Sequence, residues 1–435
     1  MGSQPLRIGL LGLGVVGSAV AHALIEKGDV YARRVGRRLE LRRALAHDRT
    51  KARTIPAELL TFDAADILED PEIDLIVEVI GGERPAHDYI VRALRAGKHV
   101  VTANKEVMAK HGPAILAVAV EGGAEISFEA SVGGGIPVIG PFKLDLIANE
   151  IQEVRAIING TTNYILTKMA NEGSTFAAAL SEAQELGYAE ADPRNDVEGI
   201  DAAYKLAILA SLAFHTAIHP DHVYREGIRG LTPADFRYAR ELGYAIKLLA
   251  IARSENGAVE ARVHPALLAE SDMLAKVDGV FNAVSVVGDL VGRMLFYGRG
   301  AGAGPTASAV MADIIDLAQR SAAGHVHPSP PTFAGEIRVR TMAEVATRYY
   351  VRLLAEDQPG VFAQITAALG DAHISLASVI QKQNVLVGDP PVECAEIVLM
   401  THRAQEAAMQ HAMRAIEALP AVREVGSLIR VESEG

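Results

Sequence analysis

The chain has 435 residues, of which 49% are apolar and 22% are charged, and its formal net charge is −12 at pH 7. This length allows about three domains, and the composition is that of an ordinary globular protein. The acidic balance excludes a general attraction to nucleic acid or to a membrane surface, so we expect no partner of either kind. The single cysteine, Cys394, excludes a disulfide framework, and no apolar run is long enough to cross a bilayer, so we expect a cytoplasmic location.

The N-terminal region begins with a strand, a glycine turn and a helix. An apolar run at 6–11 leads into the turn, and a helical pattern follows at 18–27. Glycines in such a turn let the backbone approach a dinucleotide pyrophosphate at the helix N-terminus. The residues of the turn are Gly12, Leu13, Gly14, Val15, Val16 and Gly17.

Further apolar runs at 39–46, 73–80 and 99–102 alternate with helical patterns. Such alternation is typical of parallel strands joined by helices. Residues 1–140 are therefore predicted to form an α/β dinucleotide-binding domain with a Rossmann-type, doubly wound parallel sheet.

The sequence leaves the choice between NADP and NAD open. The acidic residue that binds a ribose normally ends a strand about 20 residues past the glycine turn, and the candidate here, Asp48, comes later than usual and stands beside His47 and Arg49. The span 33–53 holds nine Lys or Arg residues against two acids, which suits a 2′-phosphate and slightly favours NADP. A solvated basic face is an equally simple interpretation.

Two further segments of this region could bind ligands. Lys105 follows a predicted strand at the carboxyl edge, where open α/β sheets bind ligands, although a surface lysine is the plain alternative. The glycine-rich segment 129–137 exposes backbone carbonyls, which could hold a hard cation or simply make a tight turn.

An acidic segment that runs into an apolar helix is the most informative feature of the chain. Residues 187–205 contain five carboxylates, and between 200 and 214 only Asp201 and Lys205 are charged. These two residues stand four apart and share one helix face, and the apolar composition predicts a buried helix. An exposed salt bridge is the alternative, but it should lie among polar neighbours. A buried lysine beside a buried aspartate indicates a functional pair.

The spacing of His215, His219 and His222 suggests a metal site. Pro220 interrupts the helix after the second histidine, and no cysteine contributes a ligand. Histidines near a helix C-terminus are favoured by the helix dipole in any case, so we do not expect zinc here.

The rest of the chain is predicted to contain two more domains. Mixed strands and helices at 141–304 indicate an α+β domain, and helix 305–320 is expected to pack back on the first domain. Residues 321–348 are proline-rich in part and are predicted to form a linker. Residues 349–435 alternate as βαββαβ, which is the ferredoxin-like order.

Several long motifs resemble those of the bacterial homoserine dehydrogenases, in the same order and over residues 5–320. They are GLGVVG from Gly12, TANK ending at Lys105, EASVGGGIP from Glu129, NGTTNYIL from Asn159, GYAEADPRNDVEGIDAAYKLA from Gly187 and GRGAGAGPTASAV from Gly298. The segment 349–361 resembles the start of an ACT domain, an amino-acid-sensing module. The resemblance implies reduction of L-aspartate 4-semialdehyde to L-homoserine by NAD(P)H, in threonine, methionine and isoleucine biosynthesis.

The resemblance also implies roles for individual residues. Lys205 is expected to donate the proton, Asp201 to orient it, and Lys105 to act beside it at the substrate, with the division of proton transfer between the lysines left open. Glu190, Asp196 and Thr161 are expected to bind polar groups of the substrate. The implied cofactor contacts are the six residues of the glycine turn with Thr102, Lys105, Gly187 and Gly302.

The other implied ligands are a cation and an amino acid. A monovalent cation such as Na⁺ is expected at Glu129, Val132, Gly134 and Ile136. An amino-acid effector, threonine in the first place, is expected at Asp357, Gly360 and Val361. The family further implies a homodimer or homotetramer built through the domain 141–304. Deletion after about residue 330 should keep activity and abolish threonine inhibition, because the regulatory site is predicted to be a separate module.

Rival functions fit the sequence less well. An acylating semialdehyde dehydrogenase requires a nucleophilic cysteine at the active site, but Cys394 lies in a predicted strand of the C-terminal region. A fused aspartate kinase requires a long segment before the glycine turn, so we expect a monofunctional enzyme. A non-catalytic amino-acid sensor would not need Asp201 and Lys205 inside an apolar helix.

Overall fold

The computed structural model describes residues 4–322, 333, 337–387 and 392–432. Strands and helices alternate in the N-terminal part. They are β1 (Leu6–Leu11), α1 (Val15–Glu26), α2 (Gly28–Val35), β2 (Leu39–Leu45), β3 (Leu60–Thr61), α3 (Ala65–Leu68), β4 (Leu75–Glu78), α4 (Ala86–Arg95), β5 (His99–Thr102), α5 (Lys105–Glu121), β6 (Ile126–Ser127) and α6 (Ile139–Lys143).

The remaining elements are of mixed type. The central ones are β7 (Ile151–Ile157), α7 (Gly160–Glu172), α8 (Phe176–Glu185), α9 (Arg194–Val197), α10 (Ile200–Ala213), β8 (Tyr224–Arg225), α11 (Pro233–Glu241), β9 (Tyr244–Glu255), β10 (Ala258–Ala269), β11 (Phe281–Gly288), β12 (Gly292–Arg299) and α12 (Ala303–Ala322). The C-terminal ones are β13 (Arg338–Val339), β14 (Ala346–Glu356), α13 (Val361–Asp371), β15 (Leu376–Val387), β16 (Val392–Thr401), β17 (Ala404–Gln405), α14 (Glu406–Glu417) and β18 (Val422–Glu432).

The chain divides into two compact units, each made of three segments. The first unit consists of Met1–Val154, Tyr204–His222 and Phe281–Ile337. The second consists of Arg155–Ala203, Val223–Val280 and Arg338–Gly435. The boundary falls inside α10, so this one helix carries Asp201 in the second unit and Lys205 in the first.

The first unit is built on a six-stranded parallel sheet with the order β3-β2-β1-β4-β5-β6. Leu75, Ile76 and Val77 of β4 are all buried, as expected for a strand covered by helices on both faces. This sheet confirms the predicted Rossmann-type fold. Helix α12 packs against α1 and α2, and its apolar residues join the same core as β1. It begins at Ala303, two residues before the predicted start.

The second unit contains the long antiparallel hairpin of β9 and β10 and a four-stranded sheet in the order β18-β14-β16-β15. Helices α13 and α14 cover one face of that sheet, so the predicted ferredoxin-like fold is confirmed. Strand β18 also pairs in parallel with β10, with Ala266 opposite Arg430. The C-terminal domain therefore shares a sheet with β9 and β10.

The predicted linker 321–348 is only partly described. Residues 323–332 and 334–336 lie outside the described residues. Further on, β13 pairs with β10, with Ala258 opposite Arg338. None of the described helices is both long enough and apolar enough to cross a membrane.

Candidate active site

The glycine turn between β1 and α1 combines tight packing with one open position. Gly12 has φ +104°, and a Cβ there would lie 2.9 Å from the carbonyl oxygen of Val79. A Cβ on Gly17 would lie 1.9 Å from the carbonyl oxygen of Gly12, whereas one on Gly14 would meet no atom within 4 Å. Within the described part of the chain, no side chain caps α1 at Gly14. The N–H groups of its first turn can therefore face a pyrophosphate.

One of the basic residues after β2, Arg53, contacts the glycine turn. The Nη1 of Arg53 donates to the carbonyl oxygen of Leu13 at 2.7 Å, and the guanidinium of Arg49 lies 4.6 Å from the centre of the Phe62 ring. Asp48 is turned back on its own loop, because its Oδ1 accepts the hydroxyl and the N–H of Thr50 at 2.6 and 2.8 Å. These hydrogen bonds from Thr50 lower the pKa of Asp48.

A buried carboxylate fixes the start of α5. Glu78 is fully buried at the end of β4, and its Oε2 accepts the hydroxyl of Thr102 at 2.6 Å. Burial raises the pKa of Glu78, although the hydrogen bonds from Thr102 and from the Ile80 N–H oppose the increase. Thr102 in turn accepts the N–H of Asn104 at 3.0 Å. The side chain of Thr102 is thus engaged within the protein, so a cofactor contact at this residue would be through its backbone.

Lys105 is the first residue of α5 and is half-buried. Asn104 caps this helix, its Oδ1 accepting the N–H of Val107 at 3.1 Å, while its Nδ2 donates to the carbonyl oxygen of Gly82 at 2.7 Å. A cation at a helix N-terminus is disfavoured by the helix dipole. The helix dipole therefore does not stabilise the lysine at this position.

The segment 129–137 forms a turn, and the carboxylate of Glu129 at its start already accepts hydrogen bonds from backbone N–H groups. Glu129 accepts the N–H groups of Val138, Ile139 and Gly140 at 2.6, 2.9 and 2.6 Å. Gly133 and Gly134 have φ +74° and +56°, a left-handed pair that turns the chain tightly. Any cation at this turn would therefore be held by backbone carbonyls and not by the Glu129 side chain.

Two glycine-rich segments that are far apart in the sequence are in contact here. A Cβ on Gly134 would lie 2.3 Å from the carbonyl oxygen of Gly300. The N–H of Gly135 donates to the carbonyl oxygen of Arg299 at 3.2 Å. Gly302, with φ +118°, leads from this contact into α12. The proposed cation residues and Gly302 thus belong to one cluster of loops in the first unit.

This cluster is anchored by two residues that were not among the predicted ones. Asp313 of α12 accepts the N–H of Glu129 at 2.9 Å, and burial raises the pKa of Asp313 to about 7. The ammonium of Lys143 lies 4.1 Å from the centre of the Phe128 ring, and burial lowers the pKa of this lysine. Asp313 lies 184 residues from Glu129, so this contact leaves no local signal in the sequence.

The second unit brings together two of the predicted acids. The Nδ2 of Asn159 donates to Asp196 Oδ1 at 2.7 Å and to Asp201 Oδ2 at 2.9 Å. Asp201 is 4% exposed, and Lys205, one turn further along α10, is 9% exposed. The predicted burial of both charges is therefore confirmed.

Three other predicted residues surround an exposed loop after α8. Thr161 donates to the carbonyl oxygen of Tyr188 at 2.6 Å. The carbonyl oxygen of Glu190 accepts Gln184 Nε2 at 3.0 Å, while Glu190 itself is exposed. Gly187, with φ +75°, ends α8 through a hydrogen bond to Gln184. The left-handed conformation of Gly187 thus follows from the helix end and does not by itself indicate a cofactor.

The predicted effector residues lie together where β14 meets α13. Gly360, with φ +91°, caps α13, and Val361 is its buried first residue. Asp357 is exposed, its N–H donates to Glu393, and its Oδ1 accepts Gln381 Nε2 at 3.2 Å. Asp357 thus contacts β15 through Gln381.

The histidines of the C-terminal end of α10 form no metal site. The rings of His219 and His222 lie 6.2 Å apart and edge to face. Among the residues that the structure describes, no group of three or more His, Cys, Asp or Glu side chains could hold a metal ion.

Three family models match the chain. Residues 137–315 match the model for homoserine dehydrogenase, residues 12–129 the model for the homoserine dehydrogenase NAD-binding domain, and residues 349–421 the model for the ACT domain.

Individual relatives match over the full length. A homoserine dehydrogenase of Neisseria gonorrhoeae is 43% identical over 436 residues, covering 99% of both chains. The crystal structure of a homoserine dehydrogenase from Thiobacillus denitrificans matches with a TM-score of 0.93 and 44% identity, covering 100% of both chains. A hyperthermophilic archaeal homoserine dehydrogenase in complex with NADPH matches with a TM-score of 0.62 and 29% identity, covering 72% of this chain and 97% of that one. With the glycine turn, the buried pair on α10 and the ferredoxin-like domain, these matches establish that the chain is a nucleotide-dependent oxidoreductase of the homoserine dehydrogenase family with a C-terminal ACT domain.

Proposed function

We propose that this enzyme reduces L-aspartate 4-semialdehyde to L-homoserine with a nicotinamide cofactor. The observation that carries the proposal is the acidic cluster of Asp196 and Asp201, held by the amide of Asn159, together with the burial of Lys205 one turn after Asp201 on α10. The substrate offers an ammonium, a carboxylate and an aldehyde. Carboxylates suit the ammonium, and lysines suit the carboxylate and the developing alkoxide.

Lys205 is the proton donor of this reaction. The nicotinamide, when bound, supplies a hydride to the aldehyde carbon. Negative charge then develops on the aldehyde oxygen, and the ammonium of Lys205 stabilises it and gives up one proton, which yields the primary alcohol. Asp201 orients Lys205 from one turn earlier, and Lys105 holds the substrate from the N-terminus of α5. Asp196, Glu190 and Thr161 bind the polar groups of the substrate.

NADP is the preferred cofactor in this proposal. The glycine turn, with Gly187 and Gly302, binds the dinucleotide. Two observations support a 2′-phosphate: Arg53 donates to the carbonyl oxygen of Leu13 in the turn, and the Asp48 carboxylate is engaged by Thr50. A ribose 2′-hydroxyl would need that carboxylate as a free acceptor, whereas a phosphate needs cations.

The turn at 129–137 binds a monovalent cation such as Na⁺ in this proposal. The left-handed glycines and the satisfied carboxylate of Glu129 support binding through the carbonyls of Val132, Gly134 and Ile136. Carbonyl oxygens are suitable ligands for hard cations, and Glu129 would add its own carbonyl.

The ACT domain binds threonine and reduces activity in this proposal. The connection between β14 and α13, with Asp357, Gly360 and Val361, is the expected effector site. Support comes from the sheet that β18 and β10 share, because a conformational change in the ACT domain would be transmitted directly to β10 through this pairing.

The enzyme forms a homodimer through the edge of its central region, and two dimers could build a tetramer. Of the described strands, only β11 pairs with β12, whose exposed residues include the apolar Leu295 and Tyr297 between Arg293 and Arg299. Exposed apolar edges are normally covered by another chain. The exposed apolar residues on and around this strand are Leu144, Ile147, Leu290, Val291, Leu295 and Tyr297.

Steady-state kinetics test these assignments together. The purified enzyme is assayed for oxidation of NADPH and NADH with aspartate semialdehyde, with and without threonine and Na⁺. We expect turnover, a higher kcat/KM with NADPH, stimulation by Na⁺ and inhibition by threonine. No oxidation with either cofactor would disprove the proposed reaction.

Sedimentation tests the dimer separately. The double variant Leu295→Asp with Tyr297→Asp should sediment as a monomer, because two charges would be buried in the interface. The control Met273→Asp changes an exposed apolar residue outside this edge and should remain a dimer. A wild-type monomer at micromolar concentration would exclude the interface.

A further inference from the structure

Asn159 makes every hydrogen bond that its side chain can make. Its Oδ1 accepts the N–H of Thr162 at 2.8 Å and the hydroxyl of Thr162 at 2.9 Å, which caps α7. Its Nδ2 donates one hydrogen to Asp196 and the other to Asp201. The residue is 5% exposed. Since two carboxylates face the nitrogen and two donors face the oxygen, the orientation of the amide is unambiguous.

This arrangement places three demands on one side chain. It must accept hydrogen bonds to cap the helix, donate two hydrogen bonds in the other direction, and carry no charge between two acids. Aspartate accepts but does not donate when ionised, and serine is too short to reach both carboxylates from the cap position. An asparagine meets all three demands.

We propose that Asn159 is a positioning residue of the reaction, which sets the separation and the ionisation of Asp196 and Asp201. Hydrogen bonds donated to a carboxylate favour its charged form, and a shared neutral donor keeps two negative groups close. Asp196 is thereby ready for the substrate ammonium, and Asp201 holds its place on α10 one turn before Lys205. Asn159 itself touches no reacting atom. This inference rests on the proposed reaction.

The substitution Asn159→Asp separates capping from positioning. Asparagine and aspartate cap helices about equally well, so α7 should keep its N-terminus. Both donors are lost and a third negative charge is added. We expect kcat/KM for the semialdehyde to fall by about 100-fold at neutral pH, as expected when hydrogen bonds to charged groups are lost, with KM for the cofactor unchanged.

A pH profile identifies the cause of that loss. As the pH falls, the three clustered carboxylates take up a shared proton, which restores one donated hydrogen bond. The ratio of variant to wild-type kcat/KM should therefore rise by at least about tenfold between neutral and mildly acidic pH. A residue that only caps the helix would give a ratio that does not depend on pH.

Two further variants complete the test. Asn159→Ser keeps a capping oxygen but reaches neither carboxylate, so it should lose activity without recovery at low pH. The control is Thr175→Ala. Thr175 caps the neighbouring helix α8, and its Oγ1 accepts the N–H of Ala178 at 3.3 Å. Loss of this cap should leave kcat/KM within about twofold of the wild-type value.

The possible outcomes separate this inference from the proposed reaction. If the wild-type enzyme does not turn over the semialdehyde, the proposed reaction is disproved, and the proposed role of Asn159 in that reaction is disproved as well. An active wild type with full activity in both Asn159 variants overturns only the role of Asn159. If Asn159→Asp does not fold, Asn159→Ser decides, because activity close to wild type in that folded variant contradicts the inference.

Discussion

At the scale of single residues, the buried pair on α10 is the feature that the sequence predicts best. Asp201 and Lys205 are the charged residues of this helix, and both are almost completely removed from solvent. Burial of charges costs several kcal/mol per ion unless they are paired and hydrogen-bonded. The hydrogen bond from Asn159 offsets part of that cost for Asp201. We attribute the burial of Lys205 to its role in catalysis.

Replacing Lys205 tests that reason. Lys205→Met keeps the length and apolar stem of the side chain but has no proton to give. We expect kcat to fall by about 10²- to 10⁴-fold, with cofactor KM unchanged, because the ammonium acts on the transition state. Stopped-flow and steady-state assays measure this, with thermal unfolding as the check on folding. Turnover equal to wild type would transfer the role to Lys105.

Other residues of the site could not be found from sequence patterns. Asn159 lies 37 and 42 residues from the aspartates that it binds, and Glu78 lies 24 residues from Thr102. Periodicity and spacing report only neighbours along one helix or strand. Contacts between elements depend on how those elements pack. The sequence therefore indicates the carboxylates of Asp196 and Asp201 but not Asn159, which donates hydrogen bonds to both.

At the scale of elements, the pairing of β10 with β18 is held by a buried ionic network. Arg262 Nη1 lies 2.5 Å from Glu432 Oε1 and 2.6 Å from His264 Nε2. Arg253 lies 3.2 Å from the other oxygen of Glu432. Burial by itself raises the pKa of Glu432, but Arg262 and Arg253 outweigh it and hold the pKa at about 2.

The substitution Glu432→Gln tests this network through its pH dependence. At neutral pH the buried Arg262 would lose Glu432 but keep Glu260 at 3.2 Å, so the free energy of unfolding should fall by about 3 kcal/mol, the lower end of the cost of breaking a buried ion pair. The native pKa of Glu432 is below its ordinary value of 4.5, so its stabilisation is present above that value and is lost as the pH falls toward 2. The difference between wild type and variant in urea unfolding should therefore shrink on acidification. A constant difference would contradict the assignment.

A second polar contact connects the ACT domain to α11. Arg352 on β14 donates to Asp235 at 2.8 Å and to Thr232 at 3.2 Å, and these two residues form the capping box of α11. At the other end of α11, Arg240 donates to the carbonyl oxygen of Ala170 in α7. Asn159 caps the opposite end of α7. Arg352 is thus linked through two helices to the acidic cluster.

We predict that this contact transmits the effector signal. Arg352→Met should weaken threonine inhibition by at least about fivefold in IC50, since a coupling of 1 kcal/mol corresponds to about that factor. Uninhibited kcat should change little. Inhibition curves measure this, with Arg423→Ala as the control, because Arg423 pairs with Glu356 on the exposed side of the domain. Equal loss of threonine inhibition in both variants would show that the effector signal is not transmitted specifically through Arg352.

Element boundaries were predicted with uneven success. Strand β5 matches its predicted range, and α10 ends one residue before the predicted end, because apolar periodicity defines both. Helix α12 starts earlier than predicted, since Gly302 turns the chain into the helix before Pro305. Pro305 correctly predicted the first turn of the helix, but it is the third residue of the helix and not the first.

At the scale of the whole molecule, the six-stranded parallel sheet and the ACT fold were both predictable from the alternation of strands and helices. The pairing between β10 and β18 was not. It joins strands far apart in the sequence, and the register of such pairs leaves no local pattern. The basic and tyrosine side chains of β10 and β14 that face this contact look like ordinary surface residues when read from the sequence alone.

Deletion of the chain after about residue 330 therefore has a different expected result. Removal of β18 would expose Arg262 and His264, which are buried now. We expect the shortened enzyme to melt at least about 5 °C below the full chain and to aggregate more readily, in addition to losing threonine inhibition. Differential scanning calorimetry and light scattering measure both effects. A shortened enzyme as stable as the full chain would show that β18 is dispensable.

The same pairing has a consequence for how the protein is made in a cell. Arg262 and Glu432 are separated by 170 residues, so β10 leaves the ribosome long before its partner strand. At translation rates of about 5–20 residues per second, the gap is on the order of ten to thirty seconds. Throughout that interval residues 266–268 of β10 lack their partner strand, and Arg262 lacks the carboxylate of Glu432. Production of this enzyme at high level should therefore depend on chaperones that shield emerging chains until synthesis has passed β18.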